Sequence, residues 1–514
     1  MPIFDYALVA AAMDRDRTAR MNETTRVNET QATAITLSEP EKNVIIAGVL
    51  LSMLLAALDQ TIVAPAMPTI GKALGHADYL PWIVTGYLLT ATAMAPLYGK
   101  ISDVYGRRPT IFGAIIIFLL GSLISALAPN MLVLILGRAV QGLGGGGLFA
   151  LAQIVIGDLV PPRERARYAA WISGTWAVAC IAGPLMGGTF AEHLHWSVIF
   201  WVNLPLGIAA LLIINNPLKK LPVVGRAHSI DGAGAALLIT ATALLLLALN
   251  WGGSRYAWLS PEILGLLGCS ALFWALFALR LRRAAEPLIS LEVLANPIVR
   301  YGTLAMFLGQ TANVGLAVYI PVYGQSFHGL SASSSGIVML GLLLGTVFGA
   351  TTSGRTIPRF THYKRLAIGG GAFSVLCLVA LAFLTGRTTL FTLELLTFGV
   401  GFGSGMTFPV ATISVQNGVD QAHLGVATGV LTFLRSLGGA LGVAMLGAIA
   451  LSNGLPLGGE HIQAVAASTK EALPFTYIFI ACAAATALSL VLFHLMPEKP
   501  LRGRADNEIA AIIE

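Results

Sequence analysis

The chain has 514 residues, of which 56% are hydrophobic and only 11% charged, with a formal net charge of +6 and a mean hydropathy of +0.78. Soluble chains carry roughly 25% charged residues, so water solvates such a surface poorly. A soluble enzyme or a nucleic-acid binder is all but excluded, and the composition is that of a polytopic all-α membrane protein.

Residues 1–43 are polar and charged and read as a disordered cytoplasmic tail. Tyr6–Met13 is too short and too acid-flanked for a signal peptide, and Met21 is an alternative start. A bilayer-crossing helix needs about 20 mostly apolar residues. Fourteen such stretches follow, centred near Leu54, Leu89, Ile117, Leu143, Ala179, Leu206, Ala241, Leu272, Val314, Leu343, Leu376, Val400, Leu437 and Ala483. The expected plan is a six-helix bundle over 44–216 and a second over 299–496. Between them, 217–298 holds a basic loop, a two-helix insert and an interfacial segment, and a cytoplasmic tail closes the chain at 497–514. Two related halves around a midplane site are a recurrent transporter plan. The sequence trace of a repeat is weak: Ser353–Arg365 is a worn copy of Gly99–Pro109.

Cytoplasmic loops carry the excess of Lys and Arg. With the N-terminus inside, 25 of the 31 basic residues fall on the inner side. Lys72, Arg255, Arg387 and Lys470 fall outside, and Arg138 and Arg435 lie within spans. Both termini are therefore expected in the cytoplasm, with the protein integral to the cytoplasmic (inner) membrane.

Several patterns point away from cofactor chemistry. Gly142, Gly144 and Gly147 match GxGxxG, but that fingerprint needs a preceding strand, and these glycines sit mid-span. They read as close-packing positions, as does the run Gly399–Gly405. No Walker motif occurs, so ATP hydrolysis by this chain is not expected. The cysteines, Cys180, Cys269, Cys377 and Cys482, lie far apart and read as small core residues. The histidines form no HExxH, and no cofactor or metal is expected.

Ionisable residues in the hydrocarbon region are costly and functional by default. Asp59 is placed near the outer end of span one, and Arg138 about seven residues into span four. A rise of 1.5 Å per residue puts both roughly 7 to 10 Å below the outer surface, so they can pair. Burial favours a protonated carboxylate and a nearby guanidinium favours an ionised one, so a moving partner makes a proton switch; the alternative is a static salt bridge. Asp158 and Glu262 read as caps or anchors at span ends. Arg435 needs either a carbonyl or carboxylate partner in the C-terminal half or a substrate contact. Glu394, about six positions into span twelve, is a candidate countercharge for a lipophilic cation, against a reading as an interfacial residue facing outer water.

The loop Gly99-Lys-Ile-Ser-Asp-Val-Tyr-Gly-Arg-Arg-Pro109 resembles the signature loop of the major facilitator superfamily. The resemblance implies a latch between bundles formed by Asp103, Arg107 and Arg108, with Gly99 and Gly106 permitting a tight turn. Val104 stands where many members carry a basic residue. Leu58–Pro68 resembles the first-span motif of the fourteen-span drug:proton antiporters. Gly137, Arg138, Gln141 and Gly142 match that family's fourth-span motif, whose Arg is associated with proton transfer. Gly174, Gly183, Pro184, Gly187 and Gly188 are similar to its fifth-span antiporter motif, a bendable, close-packed helix that either seals and rocks the bundle interface or simply packs. After span five, Trp196-Ser197-Val198 lacks the family's arginine between two tryptophans.

The resemblance implies a proton-coupled exporter of amphipathic drugs or toxic compounds, with protons and the lipid bilayer as further partners; Glu394, Gln141 and Arg435 are the candidate substrate-cavity residues. Export of an endogenous lipid, siderophore or metabolite is the alternative, and a proton-coupled nutrient symporter a further one. A periplasmic adaptor is not specified by the sequence.

Overall fold

The computed structural model describes residues 38–75, 79–220, 231–253, 255–284, 286–330, 332–360, 362–453 and 472–501. Residues 1–37 of the expected N-terminal tail, Arg226 of the basic loop, Lys470 and the tail from residue 502 lie outside the described residues. Among the described residues the regular structure is helical, with a single isolated bridge between Gly252 and Tyr256.

The first half contains α1 (Glu39–Leu74), α2 (Leu80–Tyr105), α3 (Arg107–Ala126), α4 (Met131–Leu159), α5 (Pro162–His193) and α6 (Val198–Leu218, interrupted only at Val202). The insert is α7 (Gly232–Trp251) and α8 (Pro261–Arg283). The second half contains α9 (Pro297–His328), α10 (Ala332–Thr356), α11 (Lys364–Leu384), α12 (Leu390–Gly418), α13 (Leu424–Ser452) and α14 (Ala472–Leu495).

Local chemistry sets several ends. The Glu41 carboxylate accepts from both the backbone N–H and the hydroxyl of Ser38 at 3.0 Å, so α1 opens at Glu39, ahead of the expected boundary at residue 44. Asn130 caps α4 by accepting from the Val133 N–H at 3.0 Å, and Thr389 caps α12 through the Thr392 N–H at 3.2 Å. Gly106, at φ 90°, turns α2 into α3 with one residue between them. A side chain there would be strained.

Among the described residues, eleven helices are long and apolar enough to cross a membrane. The other three long helices, α2, α5 and α10, coincide with expected spans but carry more polar character. Lys100 and Asp103 lie in α2, Glu164, Arg165 and Arg167 open α5, and Ser, Thr and Gly are frequent in α10.

The internal repeat is far clearer in the packing than in the sequence. In the first half α2 and α3 pack on α4, while α1 packs on α5 and α6. Moving each label on by eight gives the second half: α10 and α11 pack on α12, while α9 packs on α13 and α14. Contacts between halves obey the same relation, since α2 meets α13 and α5 meets α10. The insert lies to one side, with α7 against α2 and α13. Leu288, Ile289 and Val293, in the stretch expected along the interface, are instead buried in a core shared with the second half.

The glycine tracts do pack helices. A Cβ at Gly142 or Gly146 would strike backbone carbonyls of Tyr87 and Ala91 on α2, and one at Gly144 would strike Ala114 on α3. Gly401 and Gly405 bear in the same way on Leu342 and Thr346 of α10. Small residues let membrane helices approach closely, and here they allow α4 and α12 to sit at the centre of their bundles. Of the cysteines, Cys377 and Cys482 are buried, Cys180 is half-buried and Cys269 is exposed on α8. The small-core reading therefore fails for Cys269, because the insert has fewer neighbours to cover it.

Candidate functional site

The densest buried polar network lies inside the first bundle. Asp59 on α1 has no exposed surface and Arg138 on α4 only 1%. Arg138 Nη1 donates to Asp59 Oδ2 at 2.5 Å and to Gln141 Oε1 at 2.8 Å, and its Nε donates to the Ile83 carbonyl at 3.1 Å. Gln141 Nε2 donates to Asp59 Oδ1 at 2.7 Å. The guanidinium also stands over the Tyr87 ring, 4.5 Å from its centroid.

Helix α1 runs further than expected, through Pro65 to Leu74, so Asp59 lies mid-helix rather than near its end. It still meets Arg138, because α1 packs directly on α4. The sequence pairs Asp59 with Arg138 but puts Gln141 near the substrate cavity, whereas Gln141 bonds both members of the pair; it misses the rest. Asn203 Nδ2 donates to Asp59 Oδ1 at 2.9 Å and to Ser122 Oγ at 3.0 Å, and Ser122 Oγ donates to the Phe200 carbonyl at 2.8 Å. Asn203 has no exposed surface, but in sequence it is one of three asparagines of its span, with Asn215 and Asn216, and nothing there singles it out.

A second cluster lies at the α2–α3 turn. Arg107 Nη1 donates to Asp103 Oδ1 at 2.5 Å and to Ser102 Oγ at 2.7 Å, and its Nε donates to Asp158 Oδ2 at 2.6 Å. Asp158, expected to be a solvated cap, is thus an ion-pair partner of the loop. The correction follows from α4 returning to the same end of the bundle as Arg107. Arg108 turns away and donates to Asn215 on α6 at 2.8 Å.

The link between bundles runs through Asp103. Its Oδ2 accepts from the Val426 N–H at 3.1 Å, in the first turn of α13, where the helix dipole favours an anion. Gly99 lets the two helices touch: a Cβ there would strike the Gly425 carbonyl. Gln416 Nε2 closes the same end by donating to the Gln153 carbonyl at 3.3 Å.

The remaining candidates stand apart from the buried network. Gly183 and Gly187 face Thr61 and Ile62 on α1, Pro184 lies inside α5, and nothing approaches within 4 Å of a Cβ built on Gly174 or Gly188. Glu394 is half-buried one turn into α12, with its backbone carbonyl against Gly341. Arg435 is half-buried on α13 and stands over the Phe408 ring of α12. The carbonyl or carboxylate partner considered for it is absent among the described residues.

The family description "Major Facilitator Superfamily" matches residues 49–443. The chain belongs to the major facilitator superfamily. It is a multi-pass membrane transporter. Similar proteins include "Multidrug transporter protein MdtP" of Bacillus subtilis (strain 168), 32% identical over 415 residues that cover 80% of this chain and 76% of the relative. "Efflux pump FUS6" of Gibberella fujikuroi is 33% identical over 434 residues, covering 80% and 76%. Among solved structures, the proton:xylose symporter XylE superposes with a TM-score of 0.62 over 92% of this chain and 100% of its own, at 14% identity. That likeness is one of superfamily fold alone.

Proposed function

We propose that this member of the superfamily is a proton-coupled exporter of amphipathic compounds, with fourteen spans and both termini in the cytoplasm. The observation that carries the reading is the Asp59–Arg138 pair, sealed from solvent at 2.5 Å with every Asp59 oxygen bonded. A carboxylate so enclosed exchanges its proton only when α1 shifts against α4 and α6, which ties proton transfer to movement of the bundle. The names of the relatives, a multidrug transporter and an efflux pump, support amphipathic cargo and outward direction.

The fourteen-span topology is supported by the eight-helix shift in packing. Helices α2, α5 and α10 occupy positions within the two bundles, where they line the interface between halves. Residues at that interface need not face lipid, which accounts for their greater polarity. In the proposed orientation, Asp103, Gly99 and Gln416 hold the bundles together at the cytoplasmic face.

Two outcomes are expected. Ethidium efflux from energised cells expressing the protein collapses when a protonophore dissipates the proton gradient while ATP is maintained. Efflux that survives the protonophore and stops on ATP depletion would contradict the reading. Asp103→Asn leaves expression near normal and slows turnover about ten-fold or more, since loss of a charge-assisted bond to the α13 N-terminus costs about 1.5–3 kcal/mol of the closed state. Wild-type turnover by the purified variant would remove the latch from the account.

A further inference from the structure

Arg435 is the charge that the proton site leaves unexplained. Its guanidinium carbon lies 5.3 Å from the centroid of the Phe408 ring. It makes no ion pair or hydrogen bond among the described residues, and its nitrogens are not among the sealed, unpartnered atoms of the interior. Two neighbouring hydroxyls are among them. Thr432 lies one turn before Arg435 on α13, and Thr412 lies one turn after Phe408 on α12. The two threonines are 4% and 6% exposed. Since α12 and α13 are successive helices joined by a short connection, Thr412 and Thr432 lie toward the joined ends and Phe408 and Arg435 one turn further out.

Among the described residues no carboxylate pairs with this cation. Glu394 is fourteen residues before Phe408, about 21 Å along the helix. Asp59 is already bound by Arg138, Gln141 and Asn203. A guanidinium kept unpaired in a membrane-embedded interior is costly, and burying it without a counterion costs more still. The pair thus offers a fixed positive charge beside an aromatic face, with the Thr412 and Thr432 hydroxyls sealed behind it.

We infer that Arg435 and Phe408 form the head-group subsite for an amphipathic organic anion, its carboxylate or sulfonate on Arg435 and its apolar body against Phe408. The inference rests on the exporter reading and names a class of cargo for it. An anion of this kind is either a free amphiphile or a lipid head group, and the subsite is assigned to the free amphiphile.

The test is equilibrium binding to purified protein in phosphatidylcholine nanodiscs, with three matched probes. These are naphthalene-2-sulfonate, the neutral methyl 2-naphthyl sulfone and the cationic 2-naphthyltrimethylammonium. The sulfonate is expected to bind at least about ten-fold more tightly than the sulfone, as a charge-assisted hydrogen bond implies. Arg435→Gln removes that preference and leaves sulfone binding unchanged, and Arg435→Lys restores part of it. A sulfonate bound no better than the sulfone would overturn the inference. So would a loss that is equal for all three probes in both variants, which would mark a structural role. Sulfonate binding suppressed by adding phosphatidylglycerol would give the subsite to a lipid head group and overturn its assignment to cargo.

Proton-coupled exchange of naphthalene-2-sulfonate and of ethidium by wild-type proteoliposomes is measured alongside, and exchange of either counts. Exchange without sulfonate preference defeats this inference alone. Sulfonate preference without exchange defeats the proton-coupled exporter and leaves the anion subsite standing.

Discussion

Asp59→Asn is expected to reduce proton-coupled uphill transport to the background of protein-free vesicles while substrate binding persists. The amide keeps the shape of the carboxylate but cannot take up and release a proton. Its oxygen can accept from Arg138 Nη1 in place of Oδ2, which leaves its NH2 facing Gln141 Nε2 and Asn203 Nδ2. Both of those are amides and can rotate, and Asn203 Oδ1 has no partner at present, so a flip supplies an acceptor. The cavity therefore tolerates the change in shape better than the change in charge. Uphill transport and substrate binding, measured on the same reconstituted variant, separate the two. Proton-coupled uphill export by Asp59→Asn would place the carrier elsewhere, with Glu394 next.

Arg138→Ala is expected to destabilise the protein more than any other single change at the site, by about 3–5 kcal/mol, because it strands a buried carboxylate. It also removes the donors to Gln141 and the Ile83 carbonyl. Arg138→Lys keeps the charge but not the planar fork that reaches three acceptors at once, so it falls between the two. The decisive comparison is the double variant Asp59→Asn with Arg138→Gln. Removing both charges is expected to recover most of the thermal stability in detergent, since a neutral pair avoids the stranded ion, yet transport stays uncoupled. A double variant as unstable as Arg138→Ala would show that the loss came from packing on Tyr87 rather than from charge.

What could be read from the sequence followed from strong physical constraints. Long apolar runs located the helices, because backbone polar groups in lipid must be satisfied within the segment. Asp59 and Arg138 stood out because charge in such a run is rare and expensive. Asn203 and Ser122 gave no comparable signal: neutral polar residues are common in membrane helices, and their role appears only when α6 folds back against α1 and α3. Asp158 was misread as a cap because its partner, Arg107, is 51 residues away in sequence. The repeat was hidden because packing constrains size and shape at each contact. Gly146 against Ala91 and Gly405 against Thr346 do the same work without sharing surrounding residues.

Arg435 shows the opposite limit. The sequence showed that it needed a partner, and the fold supplies an aromatic face instead of a carboxylate. The first bundle thus holds a closed ion pair and the second an open cation. Under the proposed function, that asymmetry would assign the proton to the first half and the cargo to the second.

The central claim is that substrate and proton move in opposite directions through one mechanism centred on Asp59. The direct measurement uses purified protein in sealed proteoliposomes with a pH-sensitive dye trapped inside and no ATP. An imposed ethidium gradient is expected to drive protons the opposite way, against no initial pH difference, and Asp59→Asn is expected to abolish that proton flux. Ethidium movement with no accompanying proton flux, or equal proton flux in wild type and Asp59→Asn, would contradict the account.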